Sequence, residues 1–436
     1  MLGLALSLLL STKAPYAPQQ DSASYEAAPA GYKAVYTQML ARHGSRGLTS
    51  ARTAEWLHAL WRQAADADAL TPLGRELGPD IEQMMRANEL LGYGNETRQG
   101  MQEHTQLAQR MYARLPVLFR DSPVAGKSRR IVLVSSGKDR AVDSAEFFRD
   151  SLVQQQPSLA PLFDTGIDRH TLYFHKLNAA QDTLVTESSL AYQRWAKSDE
   201  LRAQEGVIHA QPQLQAAAQA TLARLFTPAF IATLAASHRD ASAPPSATEA
   251  ALALYDLYAA AADMRYELKA DFVRYMPATE AHVYAEAEDA VAFYEKGPGI
   301  AENGSVTWRM AASLVDDFFK EADAIDHGDL SHAAKLRFAH AEIVIPFASA
   351  LGIPGMSEQL SRATTYSYQN SPWRGAQVAP MAANIQWELY RNSAGRVLVR
   401  MLYNERETDF KPACSRAKIA PASHFYDYRQ LKRCYK

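Results

Sequence analysis

Three short strand-like runs, each leading into a turn and then a helix-like stretch, constrain this chain more than any other feature. The first, Ala34-Val35-Tyr36-Thr37-Gln38-Met39-Leu40, runs directly into Arg42 and His43. The second, Arg130-Ile131-Val132-Leu133-Val134-Ser135, turns at Gly137 before helical spacing from Ala141 to Leu152. The third, Lys335-Leu336-Arg337-Phe338-Ala339-His340, continues into Ile343 to Leu351 and stops at Gly352. Strands alternating with helices predict an α/β fold with a largely parallel sheet. Ile385 to Tyr390 and Val397 to Tyr403, separated by Asn392-Ser393-Ala394-Gly395, read as a hairpin and add antiparallel strands at one side.

From residue 188 to 295 the chain is rich in Ala, Leu, Gln and Glu. Leu214 to Leu234, Thr248 to Leu268 and Thr279 to Tyr294 repeat apolar residues at helical spacing, with a break at Ala243-Pro244-Pro245. The expectation is a discontinuous domain over 31–187 and 296–436, a mixed, largely parallel sheet flanked by helices, interrupted by an all-helical insertion at 188–295. With 436 residues there is ample volume for such a core.

The opening MLGLALSLLL is too short to span a bilayer, and with Ser11, Thr12 and Ala14 it reads as the remnant of a signal peptide over residues 1–14, lacking the usual basic start. A buried N-terminal helix or strand is the competing reading. Residues 15–30 are expected to be a flexible leader. Cys414 and Cys434, the two cysteines of the chain, would pair in an exported protein, which places it outside the cell or in a periplasm.

Formal net charge is −2, so no global field marks a nucleic-acid partner. The alanine-rich helices lack a dense basic face, which argues against membrane binding. No metal motif or cofactor fingerprint is legible, and none is expected. Gly126-Lys127-Ser128 resembles the end of a phosphate-binding loop, but Asp121 stands where that loop needs glycine, and the segment precedes a strand; a polar turn is the better reading.

In an open α/β sheet, ligands bind beyond the C-terminal ends of the strands. The three runs deliver Arg42, His43 and Arg46; Arg140; and His340 with Glu342 to that edge. This set suits phosphoryl transfer. A neutral His43 can attack phosphorus and form a phosphohistidine. Arg42, Arg46 and Arg140 can hold the peripheral oxygens through paired donors, with His340 adding another. Gly44 lets the backbone approach closely. Glu342 can protonate the leaving oxygen and later take a proton from water, which predicts activity biased to acidic pH.

On these residues the sequence resembles the histidine acid phosphatase branch of the histidine phosphatase superfamily, marked by Arg-His-Gly-x-Arg, here Arg42-His43-Gly44-Ser45-Arg46. The second motif, His340-Ala341-Glu342, has the form found in multiple inositol polyphosphate phosphatases. Ser135-Ser136-Gly137-Lys138-Asp139-Arg140, Gly94-Asn95-Glu96-Thr97-Arg98-Gln99-Gly100, Lys296-Gly297-Pro298-Gly299, Ala383-Asn384-Ile385 and Leu402-Tyr403-Asn404-Glu405 are similar to the same group. The proline that often follows the first motif is replaced by Gly47-Leu48.

The resemblance implies a phytase-like enzyme with a phosphorylated small-molecule substrate. Its nucleophile would be His43, its phosphate binders Arg42, Arg46, Arg140 and His340, and its proton donor Glu342. By analogy Leu172 to Lys176 lies toward the pocket, making Lys176 a candidate contact for a second phosphate. A less selective acid phosphatase acting on sugar phosphates is the alternative. A silent anion-binding protein is disfavoured by the intact His43, His340 and Glu342, and a cytosolic mutase-like enzyme by the leader and helical insertion.

Overall fold

The computed structural model describes residues 8–120, 129–234 and 246–436. One mixed sheet organises them. Its strands are β1 (Lys33–Arg42), β2 (Arg130–Ser135), β3 (Phe163–Ile167), β4 (His332–Ala339), β5 (Asn384–Arg391), β6 (Val397–Tyr403), β7 (Arg406–Thr408) and β8 (Tyr426–Asp427). The order is β3-β2-β4-β1-β5-β6-β7, with β8 also on β6. β3, β2, β4 and β1 run parallel; β5 reverses against β1 and begins the antiparallel side. The five strands read from the sequence occupy the middle of the sheet. β3, β7 and β8 were not anticipated: β3 is a mostly exposed edge strand, and the other two are only two or three residues long.

β1 lies between β4 and β5 and is buried continuously from Tyr36 to Arg42. A strand covered on both faces needs no polar alternation, which explains its nearly unbroken apolar run. Met39 and Ala41 join Leu107, Met111, Leu133, Phe148, Leu336 and Phe338 in the core on one face. Tyr36 and Leu40 point the other way, into a larger core with Leu254, Phe293, Ile343 and Trp387. Arg337 is a full charge inside a central strand. It is held by Asp317 (Nε–Oδ2 2.9 Å, Nη2–Oδ2 2.5 Å) and stacks on the Phe318 ring at 4.3 Å.

The helical stretch is present, with helices at Pro212–Ala223, Ala247–Asp263 and Ala278–Lys296. Its core is continuous with that of the sheet, and helices Arg52–Asp66 and Pro72–Leu91 join the same layer. The join is close: a Cβ on Gly74 would meet the Leu225 carbonyl at 2.0 Å. Among the described residues no helix is long and apolar enough to cross a membrane. The Ala243-Pro244-Pro245 break and Gly126-Lys127-Ser128 lie outside the described residues. Cys414 and Cys434 form a disulfide.

At the N-terminus the described residues pack as the competing reading of a buried segment expects. Leu8–Lys13 is a short 3₁₀ segment packed beneath the Ala278–Lys296 helix, with Leu10, Ser11 and Ala14 buried. Ser11 Oγ donates to Asp289 (2.5 Å), Tyr255 donates to the Leu9 carbonyl (3.0 Å), and Met381 N donates to that of Ala14 (2.9 Å). Downstream, Tyr16, Gln20, Tyr25 and Glu26 bond to Glu405 and Glu407 at the start of β7. Far from being a loose leader, the segment is a strap across the molecule. An apolar run this short reads the same in sequence whether it is a targeting signal or core.

Candidate active site

The neighbouring order β2-β4-β1 brings the three strand ends together. His43 N donates to the Ala339 carbonyl (2.9 Å), Arg42 N to that of Ala383 (2.7 Å) and Ser136 N to that of Phe338 (3.0 Å). The His43 and His340 ring centroids are 5.5 Å apart. Glu342 sits in the first turn of the Ala341–Ala350 helix, and Arg140 in that of Asp139–Gln155. The six residues separated by up to 300 positions thus meet at one edge.

His43 is buried, and its Nδ1 lies 2.9 Å from the Gly44 carbonyl. That carbonyl can only accept, so Nδ1 carries the hydrogen and Nε2 keeps its lone pair. Burial, followed by Arg42, His340, Arg140 and Arg46, pushes the imidazole pKa well below its ordinary value. Burial and the neighbouring cations therefore favour the neutral ring, with a lone pair on Nε2. Burial, with Arg140 next, likewise lowers His340 to about 3. Its Nε2 pairs with Ser136 Oγ at 2.8 Å, and its Nδ1 makes no hydrogen bond among the described residues.

The guanidinium groups are aimed by main-chain carbonyls. Arg42 Nη1 donates to Ala379 (2.5 Å) and to Thr12 of the N-terminal strap; Arg46 Nη1 donates to Gly47 (2.7 Å). Burial and the neighbouring Arg46 lower Arg42 only to about 10, so it stays charged. The Nε donors of Arg42, Arg46 and Arg140 have no partner among the described residues. Buried donors are almost always satisfied in native structures, so three such groups suit this edge to cradling an anion, and His340 Nδ1 adds a fourth donor when Nε2 accepts from the Ser136 hydroxyl.

Glu342 differs from what its assumed role demands. Burial raises its pKa, but Lys296, His175 and His340 outweigh that and hold it well below the usual carboxylate range. Lys296 Nζ lies 3.2 Å from its Oε1. The unliganded site therefore stores this group as a carboxylate, and a proton must arrive with substrate.

Lys176 is exposed at the end of the Phe174–Lys176 turn, beside His175, whose ring lies 6.3 Å from that of His340. The same wall holds Tyr173, whose ring lies 5.7 Å from that of His340, with Arg169 and Lys138 over its face at 4.6 and 5.6 Å. Arg169 was not singled out from sequence, and Tyr173 and Lys296 stood only within family-like stretches without a role of their own; isolated basic and aromatic residues carry no local signal of a shared wall.

Beneath the cradle lies an acidic frame. Ser45 N donates to Glu103 (2.8 Å), and Ser45 Oγ lies 2.8 Å from both Glu103 and Asp263. The Ser45 carbonyl accepts from Thr97 N at 2.9 Å. A Cβ on Gly44 would fall 2.6 Å from Gly100 Cα, so glycine is required there by contact with another backbone. The Gly94–Gly100 stretch is thus the bed on which the loop carrying His43 rests.

Residues 35–404 match the model of the histidine phosphatase superfamily, branch 2. The chain belongs to that family, and it is a phosphatase by fold and family alike. Bifidobacterium longum multiple inositol polyphosphate phosphatase, solved in complex with inositol hexasulfate, is 31% identical with a TM-score of 0.88, covering 98% of this chain and 97% of its own. Its apo form is 32% identical with a TM-score of 0.87 over the same shares. The D. castellii phytase shares the fold at 14% identity and a TM-score of 0.71, covering 99% of this chain and 84% of its own. No curated protein matches the sequence. The family resemblance read from the motifs therefore holds.

Proposed function

We propose that this chain hydrolyses inositol polyphosphates, phytate among them, through a phosphohistidine on His43. The observation that carries the mechanism is the free Nε2 of a neutral His43 set beside three arginines and His340 with donors to spare. Nε2 attacks phosphorus in line while Arg42, Arg46, Arg140 and His340 Nδ1 hold the non-bridging oxygens. The P–O bond to the inositol breaks, and its oxygen takes a proton from Glu342. In the second step Glu342 accepts a proton from water, whose oxygen displaces His43 and releases phosphate.

Substrate charge makes the Glu342 cycle workable. A bound phosphate dianion offsets Lys296 and the arginines, raising the carboxyl toward protonation just when it must donate. The outer wall of Lys138, Arg169, Lys176 and Lys296 suits a ring bearing several phosphates. The B. longum enzyme bound to inositol hexasulfate supports the same substrate class. The disulfide supports an oxidising compartment, and we place the protein as secreted or periplasmic.

The test is kcat/KM for phytate beside a small sugar phosphate, with His43→Ala as control and EDTA present. The proposal expects a preference for phytate that survives chelation and disappears with His43. A wide margin for the sugar phosphate would replace it with the less selective acid phosphatase.

A further inference from the structure

Glu96 has no part in the chemistry above, yet it is 2% exposed directly below the nucleophile loop. Its Oε1 accepts from Gly44 N at 2.6 Å and meets the Ser144 hydroxyl. Ser144 Oγ is also 2.7 Å from the carbonyl of Arg140. A serine hydroxyl has one hydrogen to give. It cannot donate both to a Glu96 carboxylate and to Arg140. Both contacts are satisfied together when Glu96 carries a proton and donates to Ser144, which then donates to Arg140.

The surroundings favour the same form. Oε2 of Glu96 has no partner among the described residues. The charged groups facing it are Glu103 from the Arg98–Arg114 helix and Asp143 from the Asp139–Gln155 helix, both acidic. Burial, opposed by the bonds from Ser144 and Gly44, pushes this carboxyl up to about 8.

We propose that Glu96 is a positioning residue which, as a neutral carboxylic acid, ties the loop carrying His43 to the helical turn carrying Arg140. The inference rests on the phosphatase reading of the cradle. Deprotonation breaks the relay at Ser144 and adds a negative charge beneath the anion site, so anion binding weakens on the alkaline side.

The experiment follows inorganic sulfate, which keeps its charge across this range, as a competitive inhibitor of phenyl phosphate hydrolysis from pH 6 to 9.5. In the wild type sulfate affinity falls above pH 8 by up to about tenfold per pH unit. Glu96→Gln removes the titrating group and abolishes that step, at a cost in acid-side kcat because an amide cannot both accept from Gly44 N and donate to Ser144 through one atom. Glu96→Ala and Ser144→Ala lower kcat at pH 5 by roughly tenfold to a hundredfold, as misplaced catalytic groups do. An unchanged alkaline step in Glu96→Gln overturns the proposal, as does full activity in Glu96→Ala. If Glu96→Ala does not fold, the Glu96→Gln profile decides alone. Wild-type turnover of phenyl phosphate tests the phosphatase reading separately.

Discussion

Replacing Lys296 by Met should move the pH optimum upward. Lys296 Nζ stands 3.2 Å from Glu342 Oε1, where two unit charges attract by about 5 kcal/mol at an effective dielectric near 20. The Glu342 side chain is 33% exposed, so water screens much of that, and fully exposed pairs are worth only about 1 kcal/mol or less. At about 1.4 kcal/mol per pKa unit, a value between these limits raises Glu342 by roughly one to two units. In the proposed mechanism the first chemical step needs the protonated form, whose pKa Lys296 depresses. Removing Lys296 lets the acid persist to higher pH. The assay is kcat against pH with saturating phytate, so that lost substrate affinity appears in KM instead. The alkaline limb should shift up by one to two units, and Glu342→Gln should abolish it. A Lys296→Met profile superimposable on wild type would refute the claim that Lys296 controls the proton donor.

Other outcomes follow from the packing. Lys13→Met removes the pair with Asp256 that pins the strap, and should lower kcat several-fold by loosening the Thr12 support of Arg42, measurable beside an unchanged circular dichroism spectrum. Gly44→Ala should abolish phosphate release, because its methyl cannot coexist with Gly100; retained turnover would contradict the contact. Cys414→Ser with Cys434→Ser opens a link spanning 20 positions, costing about 3 kcal/mol in the chain-entropy model and lowering Tm with little change in kcat.

Much of the site was legible because its chemistry lies at strand ends. Arg42, His43, Arg140, His340 and Glu342 each follow an apolar run, and a parallel sheet brings such ends together whatever the loop lengths. The helices at 212–296 announced themselves by their spacing. What stayed hidden depends on tertiary neighbours. Glu96 stood in a family-like stretch without a role, and Glu103 and Asp263 carry no sequence signal until the loop settles on them. Leu8–Ala14 has the composition of a targeting segment and becomes core only through Asp289, Tyr255 and Met381. Lys296 gains meaning from Glu342, 46 positions away.

The central claim is that His43 forms a covalent bond to phosphorus. Rapid denaturing quench of the enzyme with radiolabelled phosphomonoester, followed by peptide mapping under alkaline conditions that preserve phosphohistidine, tests it directly. The mechanism predicts one labelled peptide containing His43, and none in His43→Ala. Label on another residue, or undiminished phosphate release by His43→Ala, would contradict it.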